Sequence, residues 1–182
     1  MTRIVAGAAK GRNLKVPKSG TRPTSEKVRE AIFSALEHRG FIRDCTIVDL
    51  FSGSGACGLE AKSRGAKQVV CVESSRPAVA VIRENARHAG LEITVAAMTA
   101  EAWVAEERPE KFDVAFIDPP YKYTDQKLTQ LLANLEEHLQ EDGLAVVERD
   151  ARSPEPNWPA GWELVWERSY GDTRVWAAGQ SQ

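Results

Sequence analysis

The chain has 182 residues, 42% of them hydrophobic and 27% charged, with a net charge of −2. That length supplies one well-buried core and argues against two full domains, and the composition is that of a soluble globular protein. No apolar run approaches the ~20 residues of a membrane-spanning helix, and the first residues lead into a basic stretch with no apolar leader segment. Cys45, Cys57 and Cys71 lack CxxC spacing, so they read as reduced, mostly buried thiols of a cytoplasmic protein. His38, His88 and His138 each fall late in a helical stretch and read as helix-surface residues, so no metal is expected. The charge is uneven. Residues 1–43 hold ten Lys/Arg and three Asp/Glu, a balance of +7, and the remainder balances at −9. A basic arm on an acidic body points to a polyanionic partner.

Residues 2–6 and 12–17 read as two short strands, with Ala8-Ala9-Lys10-Gly11 as the turn between them. The hairpin carries Arg3, Lys10, Arg12, Lys15 and Lys18 but few large apolar side chains. It is therefore expected as an appendage over residues 1–22, beside a main domain over 23–182, and its removal is expected to spare the fold. Thr24 is the expected N-cap of the first helix, with Glu26 in its first turn. Val28, Ile32, Ala35 and Leu36 share one face of that helix, Lys27, Arg29 and Arg39 lie elsewhere, and Gly40 ends it.

The body alternates strands and helices. Strands are expected at 46–50, 68–73, 93–97, 113–117 and 143–148. Helices are expected at 57–64, 77–89 and 124–139, with a short one near 100–107. Leu128, Leu131, Leu132, Leu135 and Leu139 form an apolar stripe. This alternation predicts a doubly wound α/β fold with a mostly parallel sheet and right-handed crossovers. Prolines break 151–161. A final hairpin follows, in which Trp162, Leu164 and Trp166 alternate and Tyr170-Gly171-Asp172 turns.

Two stretches carry chemistry. The strand ending at Asp49 runs through Phe51 into Gly53-x-Gly55-x-x-Gly58 and then a helix, the setting of a nucleotide-type cofactor. Glu73, at the end of the next strand, is placed to hold a ribose diol. A carboxylate at Asp49 would repel a pyrophosphate but suits an ammonium, which favours S-adenosylmethionine over a nicotinamide dinucleotide. The second stretch is Asp118-Pro119-Pro120-Tyr121, which follows the strand 113–117. Two prolines cannot continue a strand, so the chain turns there and leaves an acid and an aromatic ring at a strand end. If the first and fourth strands of the core are neighbours at the topological switch point, both stretches face one crevice. The Asp118 carboxylate and Pro119 carbonyl can then accept the N–H bonds of an exocyclic amine, and Tyr121 can stack on its base.

Together these motifs resemble those of class I methyltransferases acting on amino groups of nucleic acids. Arg3-Ile4-Val5-Ala6-Gly7, Lys10-Gly11-Arg12 and Arg22-Pro23-Thr24, followed by Arg29 and Phe33, narrow the resemblance to the bacterial 16S ribosomal RNA guanine-N2 methyltransferase family of the RsmD type. The resemblance covers nearly the whole chain. It implies a Rossmann-like seven-stranded sheet whose last strand is antiparallel, with an N-terminal hairpin that helps to grip RNA; the expected RNA contacts are Arg3, Lys10, Arg12, Lys15 and Lys18 of the hairpin, together with Arg22 and Arg29. It also implies a guanine of 16S rRNA as target, within the small ribosomal subunit or an assembly intermediate, and the protein is expected to act as a monomer. Asp118, Pro119, Pro120 and Tyr121 carry catalysis in this reading. Asp49, Phe51, Gly53, Gly55, Glu73, Thr99 and Ala100 hold the cofactor, with Thr99 standing where such enzymes often place Asp or Asn toward the adenine. The alternatives are a DNA adenine or cytosine amino-methyltransferase, a dinucleotide-dependent dehydrogenase and a non-catalytic RNA-binding module.

Overall fold

A computed structural model describes residues 1–18 and 24–182; the Arg22-Pro23 segment lies outside the described residues. A two-stranded antiparallel piece, β1 (Thr2–Arg3) with β2 (Asn13–Leu14), precedes helix α1 (Glu26–His38). The alternating body then runs β3 (Thr46–Asp49), α2 (Ala56–Ser63), β4 (Gln68–Val72), α3 (Arg76–Ala89), β5 (Thr94–Ala96), α4 (Ala100–Ala105), β6 (Phe112–Ile117) and α5 (Asp125–Leu135). Strands β7 (Leu139–Asp150), β8 (Trp162–Tyr170) and β9 (Thr173–Gln180) complete it.

The seven strands of the main sheet lie in the order β5-β4-β3-β6-β7-β9-β8. The first five are parallel, and β9 enters antiparallel to both β7 and β8. The chain winds outward from β3 to β5, then returns to place β6 on the other side of β3. The expected switch point is therefore real, and it lies between β3 and β6.

Alternation along each strand sends side chains to two helical layers. Val48, Ala115, Ile117, Ala145 and Val147 meet Trp103 of α4 and the leucine stripe of α5. Ile47, Val114, Phe116, Leu144 and Val146 meet Val28, Ile32, Phe33 and Leu36 of α1. Each fully buried leucine contributes roughly 1.5–3 kcal/mol of transfer free energy, so the stripe Leu128, Leu131, Leu132 and Leu135 holds α5 firmly to the sheet.

The structure corrects several expectations. Ser25, not Thr24, caps α1: its hydroxyl accepts the Val28 N–H. The leucine-rich helix turns into a 3₁₀ turn at Glu136–His138, and β7 begins at Leu139. His138 is buried, with Nε2 2.8 Å from the Val104 carbonyl and its ring against Trp103, whereas His38 and His88 are exposed. Trp162 and Trp166 do not share a face. A register shift between Leu164 and Trp166 inserts one residue, so Trp162 joins one layer and Trp166 the other, and Leu164 is left exposed. A bulge of this kind flips every side chain beyond it. Of the cysteines, Cys71 is buried and Cys45 and Cys57 are partly buried; all three are free.

The N-terminal hairpin also differs from expectation. Its ladder is only two residues on each side. Yet Ile4, Ala9 and Leu14 are buried in a cluster with Leu59, Ala86 and Ala89. Glu60, on α2, accepts the N–H groups of Val5 and Ala6. The hairpin buries few side chains, but it buries them completely, and its backbone is hydrogen-bonded into the body.

Candidate active site

Three carboxylates stand on one face of the sheet at the strand ends. Asp49 pairs with Phe116, and Ile117 with Val147, so Asp118 and Glu148 are the next residues along adjacent strands. Alternation turns all three toward the layer of α1. They line one cleft of about 420 Å³, together with Phe51, Gly53, Glu73, Thr99, Ala100 and Pro120 from the expected set. Gly55, Pro119 and Tyr121 are not part of its wall.

The glycine loop is held from below. Gly53, at φ 56°, and Gly55, at φ 82°, occupy left-handed conformations that other residues adopt only with strain. The Gly53 N–H donates to Glu73 Oε1 at 2.9 Å, and the Ser75 N–H donates to Glu73 Oε2 at 2.8 Å. Glu73 is thus a loop organiser whose oxygens each retain a lone pair for a ribose hydroxyl. Gly58 is required by packing: a Cβ there would sit 2.5 Å from Cys71 Sγ on β4. Asn85 was not singled out by sequence. Its amide donates to the carbonyls of Ser54 and Lys15 and accepts the Lys15 N–H. It ties the glycine loop to the chain leaving the hairpin, whose Val16 and Pro17 line the cleft.

Asp49 is 2% exposed, and its Oδ2 has no hydrogen-bond partner. Burial, then the charge of Asp118, pushes it up to about 7, against the pull of the Gly58 and Phe51 N–H groups. Asp118 and Glu148 are also held above the usual carboxylate range. For Asp118, whose side chain still reaches solvent, the cause is desolvation by the surrounding protein, opposed by the Thr24 hydroxyl and Arg149. For Glu148 it is burial, then the charge of Asp118. Thr24, freed from capping, reaches both: its Oγ1 lies 3.2 Å from Asp118 Oδ2 and 3.0 and 3.1 Å from the two oxygens of Glu148.

The Asp49 shift has a consequence for stability. In the unfolded chain this acid ionises near its ordinary 3.8, and in the folded protein near 7. Between those values the folded state binds a proton that the unfolded state does not, so stability falls as pH rises. Asp118 and Glu148 act in the same direction. The thermal midpoint of the ligand-free protein is expected to drop from pH 5 to pH 8, and Asp49→Asn to flatten that drop. A midpoint that rises across this interval would contradict the buried, unpaired Asp49.

After Pro120 the chain makes a tight turn closed by a 2.8 Å hydrogen bond from the Tyr123 N–H to the Pro120 carbonyl. Tyr121 stands on that turn, 77% exposed. Tyr123 was overlooked in the sequence. Its ring meets Phe51 edge-on at 5.3 Å, its hydroxyl donates to Glu101, and its carbonyl accepts from Arg149. Thr99 caps α4 by accepting the Ala102 N–H, so its hydroxyl is engaged with backbone.

The expected RNA contacts divide. Lys10, Arg12 and Lys18 are exposed. Arg3 and Lys15 are exposed but pair with Glu26 and Glu84. Arg29 is a correction: it is 2% exposed, pairs with Glu60, and donates to Thr2 and the Arg3 carbonyl, so its charge is spent inside the fold. Arg22 lies outside the described residues.

The cleft fits S-adenosylmethionine on its own chemistry. The unpartnered Asp49 oxygen suits an ammonium donor, the left-handed Gly53 leaves open space beside the loop, and Glu73 lines the cleft at the end of β4 with lone pairs that could receive hydroxyl groups.

Comparison with known proteins agrees. The family model described as conserved hypothetical protein 95 matches residues 2–178. The Bacillus subtilis protein YlbH is 36% identical over 182 residues, covering 95% of this chain and 96% of its own. Ribosomal RNA small subunit methyltransferase D of Escherichia coli K12 is 34% identical over 174 residues, covering 93% of this chain and 85% of its own. A solved structure from Thermus thermophilus superimposes with a TM-score of 0.85 at 34% identity, covering 100% of both chains. With the switch-point cleft, the glycine loop and the Asp-Pro-Pro-Tyr corner in place, the chain belongs to the RsmD-type family of S-adenosylmethionine-dependent methyltransferases.

Proposed function

We propose that this protein methylates the exocyclic N2 amine of a guanine in small-subunit ribosomal RNA, acting in the cytoplasm as a monomer. The observation that carries the reading is the adjacency of two corners across β3 and β6: Asp49 with its glycine loop, and Asp118 with its proline turn, lining one cleft. The relatives named for ribosomal RNA methylation support the substrate class.

S-adenosylmethionine, when bound, supplies an electrophilic methyl group. The protein has to make a poor nucleophile adequate, because the amine lone pair is delocalised into the base. Asp118 accepts an N–H bond of the amine, which draws the nitrogen toward tetrahedral and aims its lone pair, while Pro119, buried behind the cleft wall, stiffens the turn that carries Asp118. Tyr121, exposed on the stiff turn, offers a ring face on which an extruded base stacks. Positioning and electrostatics then supply most of the acceleration. Once alkylated, the nitrogen sheds its proton readily, so an ionised Asp118 suffices to take it.

The test is to incubate small ribosomal subunits lacking this modification with methyl-tritiated S-adenosylmethionine and identify the labelled nucleoside. N2-methylguanosine is expected. Label in adenosine or cytidine, or preferential labelling of competing DNA, overturns the reading.

The same reading assigns the exposed hairpin cations to RNA phosphates. Replacing Lys10, Arg12 and Lys18 together by alanine is expected to reduce the slope of log affinity against log salt by about 2–3, since each phosphate contact contributes ~0.7–0.9. An unchanged slope removes the hairpin from the RNA interface.

A further inference from the structure

Glu148 has no role in the site as read from sequence, yet it lies beside Asp118 in the cleft and is tied to it through Thr24. We propose that Glu148 is a specificity-determining residue that accepts the N1–H of the target guanine while Asp118 holds the N2 amine. This role rests on the guanine reading above and adds the residue that recognises the base.

The Thr24 hydroxyl has one hydrogen to give and lies within bonding distance of two acids. It donates to one, and the other contact is a hydrogen bond only if that acid carries a proton. Glu148 is the better proton holder, because it faces the charges of both Asp118 and Asp49, whereas Arg149 relieves Asp118. With Glu148 protonated, it donates to Thr24 through one oxygen; with Glu148 ionised, it accepts the Thr24 hydrogen. The remaining Glu148 oxygen is an acceptor only.

An acceptor at that place separates the bases. In guanine the amine-bearing C2 lies between N1, which carries a hydrogen, and N3, which carries a lone pair, and the proposed contact is to the N1 edge. In adenine and cytosine the ring nitrogen beside the amine-bearing carbon carries a lone pair, which would face the Glu148 oxygen with nothing between them. A site built to receive a hydrogen bond rejects an analogue that cannot make it.

The experiment uses the full chain and an RNA spanning the nucleotide mapped as above. That nucleotide is synthesised as guanine or as 2-aminopurine, which keeps the 2-amine but has a bare N1. The native protein is expected to favour guanine by about 100-fold or more in kcat/KM. Glu148→Ala and the volume-filling Glu148→Met are expected to bring that ratio below about 5, chiefly by losing guanine. Glu148→Gln retains a carbonyl oxygen and a donor for Thr24, and is expected to keep most of the preference. A merely structural role would lower both substrates together and leave the ratio unchanged. A preserved ratio in a folded Ala or Met variant overturns the role of Glu148 alone. Mapping of the label to adenine or cytosine overturns the guanine reading and this role with it.

Discussion

Asp118→Ala is expected to slow methyl transfer by about 10²–10³-fold while leaving the affinity for S-adenosylmethionine within a few-fold. The magnitude is that of removing one preorganised electrostatic partner from a reacting group. The separation follows from geometry: Asp118 is one strand over from Asp49 and the glycine loop, on the side away from Glu73. Asp118→Asn keeps the shape but replaces one acceptor by a donor, and is expected to be nearly as slow. The acid form of Asp118 cannot polarise the amine, so kcat is expected to rise with pH, with a midpoint above the ordinary carboxylate range, where desolvation by its surroundings places this group. Removing the charge also relieves Glu148 and Asp49, so the inactive variant is expected to unfold at a higher temperature than the native protein at pH 8. Single-turnover rates, titration calorimetry with the cofactor and thermal unfolding read the three effects. Turnover within threefold of native would sink the assignment.

The strand–glycine–helix corner and the strand–proline corner were legible because each rests on backbone chemistry that a few residue types dictate. Gly53 and Gly55 accept left-handed angles, and Pro119-Pro120 cannot join a ladder. The alternation of strands and helices then placed the corners side by side through topology alone. What stayed hidden depends on contacts between distant segments. Glu148 reads as one more acid at the end of a valine-rich strand, and nothing local says that residue 24 will reach it. Asn85 lies in the middle of an amphipathic helix and gains its role only because residues 15 and 54 arrive beside it. The bulge after Leu164 was invisible for a related reason: an alternating Trp-x-Leu-x-Trp pattern satisfies either register, and the pairing with β9 decides. Arg29 was misread because its residue type suggests solvent, and the acid that buries it, Glu60, sits 31 residues away.

Glu60→Ala is expected to destabilise the protein by about 3–5 kcal/mol, the cost of removing one partner from a buried ionic network. Glu60 is fully buried, and four groups converge on it. The Val5 and Ala6 N–H groups donate at 2.9 and 3.0 Å, Arg29 Nε at 3.3 Å and Arg64 Nε at 2.9 Å. Arg64 keeps Glu30 and Glu37 when Glu60 is lost. Among the described residues Arg29 then keeps only the neutral oxygens of Thr2 and Arg3, so one buried guanidinium loses its counter-charge. The hairpin is pinned nearby as well: the Ala8 N–H donates to the Ser63 carbonyl, and a Cβ on Gly7 would lie 2.0 Å from that same oxygen. Deleting residues 1–15 would strip Arg29 and Glu60 of these partners and open the cluster around Leu59. It is therefore expected to unfold the protein rather than spare it. Urea denaturation of Glu60→Ala checks the argument, and a loss below about 1 kcal/mol would return the hairpin to the status of an appendage. If the truncated chain unfolds, its lost RNA binding says nothing about RNA contacts. Among the expected contacts in the described residues, Lys10, Arg12 and Lys18 are exposed and outside the Glu60 network, so their replacement tests phosphate binding without disturbing that network.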